Sequence, residues 1–144
     1  MLIDANLLLI AEDSSAPDHE NAERFLVNAL NGRARVGLPW SSLEAFLRIR
    51  TNARAYARPL TPNDAWSRIV EWINAPASWI PSPTEQHAEV LGDLITRYQL
   101  RANLIPDAAL AALAIEHGVA VCSTDSDFAR FDEITWINPL RATN

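Results

Sequence analysis

The sequence predicts an α/β fold, a three-layer arrangement in which a central parallel sheet is flanked by helices, and three observations predict it. Short apolar runs alternate with stretches at helical spacing along the 144-residue chain. Aspartates stand at or just after the ends of two of those runs, where open parallel sheets bind their ligands. Helix punctuation is explicit at Thr61-Pro62, at Pro106 and at Gly118.

The elements follow in order. Met1 to Ile3 is an apolar run ending at Asp4 and reads as a buried strand; an apolar stretch then continues through Ile10. Ala22, Phe25, Leu26, Ala29 and Leu30 give residues 16–30 a helical stripe that Asn31-Gly32 stops. Arg35 to Leu38 is a second strand, broken by Pro39 before a helix over 41–50. Thr61 caps a helix with Pro62 in its first turn, ending near Asn74. Ser78 to Ile80 is a brief strand between prolines, and Thr84 is expected to cap a helix reaching Tyr98. Pro106 opens the helix DAALAALAIEHG, closed by Gly118; VAVC at 119–122 is a buried strand, and 133–137 supplies the last. No repeat, low-complexity tract or linker divides the chain, so a single domain over 1–144 is expected.

Composition excludes several chemistries. All 12 basic residues are arginine, against 18 acids and a net charge of -6. Without lysine there is no Schiff-base amine and no P-loop. Four glycines include no GxGxxG, and there is no GxSxG. His19, His87 and His117 are scattered and Cys122 is alone, which gives zinc no tetrahedral site and cysteine no disulfide partner. The first residues have no basic region or small-residue cleavage site, and no apolar stretch reaches the ~20 residues of a membrane span. A cytoplasmic protein without membrane attachment is expected.

The acids carry the positive signal. Asp4 ends the first strand, Asp125 follows the VAVC strand, Asp107 lies in the first turn of the helix feeding that strand, and Glu44 sits on the helix after the second strand. Four carboxylates from distant positions thus converge on one end of the sheet, with Asn6 and Asp127 at the edge. Each also has a local explanation. Ser41 and Glu44 have the spacing of a capping box, Asp107 complements a helix dipole, and Asp125 and Asp127 suit a turn. Asp4 is hardest to explain locally, because a carboxylate directly after a buried strand needs a partner. Such an all-oxygen set suits Mg²⁺, with Mn²⁺ as a substitute.

At this point the chain resembles the PIN-domain ribonucleases and, within them, the VapC-type toxins of bacterial toxin–antitoxin modules. The resemblance rests on IDAN at 3–6, Glu44 within SSLEAFLRIRTN, PDAALAALAIEHG at 106–118, STDSDFARF at 123–131 and WINPL at 136–140. It implies a PIN-like, Rossmann-like sandwich and places the family's acidic quartet on Asp4, Glu44, Asp107 and Asp125, with Asp127 as an accessory metal-binding acid. Asn6, Ser123 and Thr124 would orient a ligand or simply bond backbone. It further implies metal-dependent hydrolysis of single-stranded or loop RNA, transfer or ribosomal, leaving a 5′-phosphate and a 3′-hydroxyl. A VapB-type antitoxin and a homodimer are the implied partners. Related toxins often carry histidine where this chain has Ala109. The alternatives are a PIN-like metal- and partner-binding module that cleaves nothing useful, and an RNA-processing nuclease outside a toxin–antitoxin system.

Two further features are expected to matter less. Arg50, Arg54 and Arg58 recur every four residues, with Arg48 nearby, and share one face if helix continues through them; such a face either contacts phosphate or is simply solvated. The five tryptophans lie beside aliphatic runs and are expected as core or interface anchors.

Overall fold

Residues 1–141 are described in this computed structural model. Five strands of two residues each form one parallel sheet: β1 (Leu2–Ile3), β2 (Val36–Gly37), β3 (Ser78–Trp79), β4 (Val121–Cys122) and β5 (Trp136–Ile137), in the order β3-β2-β1-β4-β5. The central strand is therefore β1. Leu2 pairs with Gly37 on one side and Val121 on the other, and Ile3 with Cys122. A Cβ at Gly37 would meet Leu2 Cδ2 at 2.4 Å, so any other residue there would force the buried Leu2 side chain to shift.

Alternation along these short strands feeds two cores. Ile3 and Cys122 join Leu7 and Leu8 of α1 (Ala5–Glu12), Leu26 of α2 (His19–Leu30), Phe46 of α3 (Trp40–Arg50) and Ile69 of α4 (Pro62–Ile73). Leu2 and Val121 join Leu94 of α5 (His87–Tyr98), Leu113 of α6 (Ile105–His117) and Phe128. Helices thus pack on both faces, as expected. Each fully buried Leu or Phe contributes about 1.5–3 kcal/mol of transfer free energy, so the helices, not the two-residue strands, supply most of the packing. Among the described residues no helix is long and apolar enough to cross a membrane.

The helix signals fare unevenly. Thr61 caps α4 through its hydroxyl, which accepts from the Asp64 amide at 3.1 Å, and Gly118 closes α6 with a left-handed φ of 63°. Thr84 does not cap α5. That helix starts after Gln86, and the Thr84 hydroxyl instead donates to Glu116, whose side chain is fully buried and also meets His87 Nδ1 at 2.6 Å. Nor does Ser41 form a capping box with Glu44: α3 begins one residue earlier, at Trp40 behind Pro39, without any side-chain cap. The apolar stretch through Ile10, read without an element, is helix α1.

Candidate active site

The sheet changes winding direction between β1 and β4, because the chain moves from β1 through β2 to β3 and then crosses to β4 and β5 on the other side. Asp4 follows β1 and Ser123, Thr124 and Asp125 follow β4, so both strand ends open onto this switch point. Asp107 arrives from the first turn of α6, and Asp127 from the short 3₁₀ helix Ser126–Arg130.

Carboxylate oxygens of Asp107, Asp125 and Asp127 lie within 4.8 Å of one another. Asp4 stands beside them and is held on both oxygens: Oδ1 accepts from the Ala5 amide at 2.7 Å and Oδ2 from the Ser123 hydroxyl at 2.6 Å. Ser123 is fully buried, and its hydroxyl also accepts from Asn6 Nδ2 and the Asp125 amide, both at 3.0 Å. One donor and two acceptor sites are all that a hydroxyl has, so this group is saturated and fixed. Asn6 Oδ1 accepts weakly from the Thr124 amide at 3.4 Å, and Trp136 Nε1 donates to the Ser123 carbonyl at 2.9 Å. Asp125 caps its turn by accepting from the Asp127 amide at 2.8 Å. The local reading of Asp125 is therefore real, and coexists with its place in the cluster.

The electrostatics follow from crowding. Burial, then repulsion from Asp125, Asp4 and Asp127, pushes the Asp107 carboxyl up to about 6, opposed by Arg130. Among the described residues the Asp107 carboxylate has no hydrogen-bond donor. Burial also raises Asp4, against its bonds from Ser123 and Ala5 and with added repulsion from Asp125. Four neighbouring carboxylates, with no nitrogen or sulfur donor among them, form a set suited to a hard divalent cation. Cys122 is no nucleophile: it is fully buried, and desolvation pushes its thiol up to about 12.

The pattern of the PIN domain matches residues 1–134. The chain belongs to the PIN-domain family. It is 40% identical over 138 residues to Ribonuclease VapC37 of Mycobacterium tuberculosis, covering 96% of both chains. It is likewise 37% identical over 139 residues to Ribonuclease VapC25 of the same organism, covering 96% of this chain and 97% of that one. Among solved structures, the Mycobacterium tuberculosis sarcin-ricin-loop-cleaving toxin VapC20 shares the fold with a TM-score of 0.67 at 15% identity, over 93% of this chain and 98% of that one.

Within this PIN domain the remaining expected residues lie on α3 and the turn that follows it. Glu44 is exposed on α3 and lines a depression with Leu47, Arg48, Thr51, Pro62 and Trp66. The arginine row is corrected. Helix α3 ends at Arg50 and the chain turns at Thr51, so no helical face carries Arg50, Arg54 and Arg58 together. Arg50 is buried. Its Nε pairs with Glu12, Nη1 donates to the Arg58 carbonyl at 2.8 Å, and the guanidinium lies 4.4 Å from the Tyr56 ring centre. Arg48, Arg54 and Arg58 remain exposed.

Two features escaped the sequence reading. Arg130 donates to Asp127 from Nε to the carbonyl and from Nη2 to Oδ1, both at 3.0 Å, which places a cation against the acids. Its spacing three residues after Asp127 was the available signal. The other is the stack of Trp40 and Trp66, which are 44% and 49% exposed and nearly parallel, and so are not core anchors. Trp72 does anchor the core, edge-on to Phe46.

Proposed function

We propose that this chain is a metal-dependent endoribonuclease, the toxin of a type II toxin–antitoxin system, cutting RNA at single-stranded or loop positions. The observation that carries the reading is the gathering of Asp107, Asp125 and Asp127 beside Asp4 at the switch point. Its likeness to proteins named Ribonuclease VapC along nearly the whole chain supports both the activity and a VapB-type antitoxin as partner. Transfer RNA or ribosomal RNA is the substrate class, a homodimer the working assembly, residues 1–144 one domain, and the cytoplasm the location.

In this reading Asp107, Asp125, Asp127 and Asp4 hold Mg²⁺, or Mn²⁺ in its place. The ion, when bound, lowers the pKa of a coordinated water and offsets charge on the phosphodiester. The protein's contribution is placement. Ser123 and the Ala5 amide fix the Asp4 carboxylate, and Asn6 fixes Ser123, so the oxygens need little reorganisation when the ion arrives. Thr124 closes the Asn6 bridge through its amide. Glu44, exposed on α3, completes the quartet in this reading by its place in the family's motif.

The test is cleavage of a structured RNA by wild type and Asp4→Asn, with Mg²⁺ and with excess chelator. Wild-type cutting that chelator stops, and a loss of at least about a hundredfold in Asp4→Asn, are expected. Full cleavage by Asp4→Asn at matched metal would remove Asp4 from the catalytic set. Expression alone should arrest growth, and co-expression of the antitoxin should restore it.

A further inference from the structure

A site built from four acids has to meet a polyanion, and a metal ion neutralises only part of that mismatch. Arg130 is the cation that opposes the proton affinity of Asp107, and it sits at the end of the 3₁₀ helix that carries Asp127. Both of its hydrogen bonds go to Asp127, from Nε and Nη2, and among the described residues Nη1 has no partner. The side chain is 33% exposed. A planar guanidinium held along one edge has a fixed direction for the other edge, and that edge matches the oxygens of a phosphate. An ordinary exposed pair of this spacing contributes little to stability, so its value lies in where it leaves the guanidinium.

We propose that Arg130 is the phosphate-binding residue of the active site: Asp127 anchors one edge of its guanidinium, and the other edge receives a phosphate of the bound RNA beside the acidic cluster. This rests on the nuclease reading and adds to it the group that grips the substrate. It also separates two jobs of Asp127, which serves the acids through the cluster and the substrate through Arg130. The exposed Arg48, Arg54 and Arg58 have no comparable tether to the cluster.

The experiment measures RNA binding apart from cleavage. Arg130→Gln and Arg130→Lys are made in an Asp4→Asn background, and anisotropy of a labelled single-stranded RNA is followed at saturating Mn²⁺ over a range of salt. The Gln variant should bind about tenfold more weakly, with its log–log salt slope reduced by about one. Lys should restore the slope but not the affinity, because a point charge cannot replace the fork. Calorimetric titration of Mn²⁺ into Arg130→Gln, otherwise wild type and without RNA, should give an affinity equal to or tighter than that of wild type. Unchanged RNA affinity and slope, with weakened Mn²⁺ binding, would overturn the proposal and leave Arg130 as a brace for Asp127. If the Gln variant does not fold, the Lys variant decides: weaker RNA binding at unchanged slope supports the proposal, and undiminished binding overturns it. If the Asp4→Asn parent binds no RNA, the series is read in the otherwise wild-type chain with Ca²⁺ in place of Mn²⁺, and failure of that chain to bind would overturn the nuclease reading, and this inference with it.

Discussion

Charged side chains meet under opposite terms where α1 and α3 end and where β1 and β4 end. Where α1 and α3 end, Glu12 and Arg50 are 7% and 9% exposed in their side chains and compensate each other, with Tyr56 and the Arg58 carbonyl completing the guanidinium's surroundings. Where β1 and β4 end, Asp4, Asp107, Asp125 and Asp127 crowd together, and Arg130 offsets only a fraction of their charge. The compensated pair is closed to ligands and serves the fold. The uncompensated group stores repulsion that a cation relieves, which is the physical mark of a binding site.

The contrast breaks most visibly at Arg50. Arg50→Ala strands a buried Glu12 and should cost about 3–5 kcal/mol in denaturant unfolding, with cleavage per folded molecule preserved. If stability barely changes, the pair is not compensating a buried charge.

Ser123→Ala comes next in size. It removes the donor to Asp4 Oδ2 and the acceptor for the Asp125 amide, for a loss of roughly 1–3 kcal/mol and a further upward movement of Asp4. Retained cleavage at unchanged Mg²⁺ dependence would show that the hydroxyl serves packing alone.

Asp107→Asn sharpens the contrast by changing sign. With its carboxyl raised to about 6, folded wild type without metal binds more protons than the unfolded chain. This contribution to stability is fully present below the unfolded value near 3.8 and is lost as pH rises through about 6. Asp107→Asn escapes that loss, so metal-free protein should be stabilised at neutral pH by on the order of 1 kcal/mol, after screening at a partly exposed site. Mg²⁺ should raise the wild-type Tm more than the mutant's. Paired thermal melts at pH 4.5 and 7, with and without Mg²⁺, check this; a mutant less stable at both pH values would return Asp107 to a helix-dipole role.

What was legible in the sequence divides along the same line. Asp4 and Asp125 were readable because apolar runs mark strands, and strand ends in a parallel sheet point to one edge; Asp107 was readable because Pro106 marks the start of the helix that feeds β4. The pairing of Arg50 was not, because its partner is 38 residues away and nothing local announces it. The row to Arg58 had helical spacing without helix, since propensity does not show that the chain turns at Thr51. Helix α1 was hidden by being apolar on nearly every side: with Leu7, Leu8 and Ala11 buried and Leu9 and Ile10 partly so, it has no polar face to reveal its period. Thr84 looked like a cap, and was diverted by a glutamate 32 residues downstream.

The central position of β1 bears on synthesis. Asp4 precedes by 119 residues the hydroxyl that fixes it, and β1 precedes its neighbour β4 by the same span. Chains emerging from the ribosome can assemble α1 to α4 around the early strands, but β4 and its aspartates must be out before the acids meet. A chain that has not yet reached β4 therefore lacks an assembled acidic site.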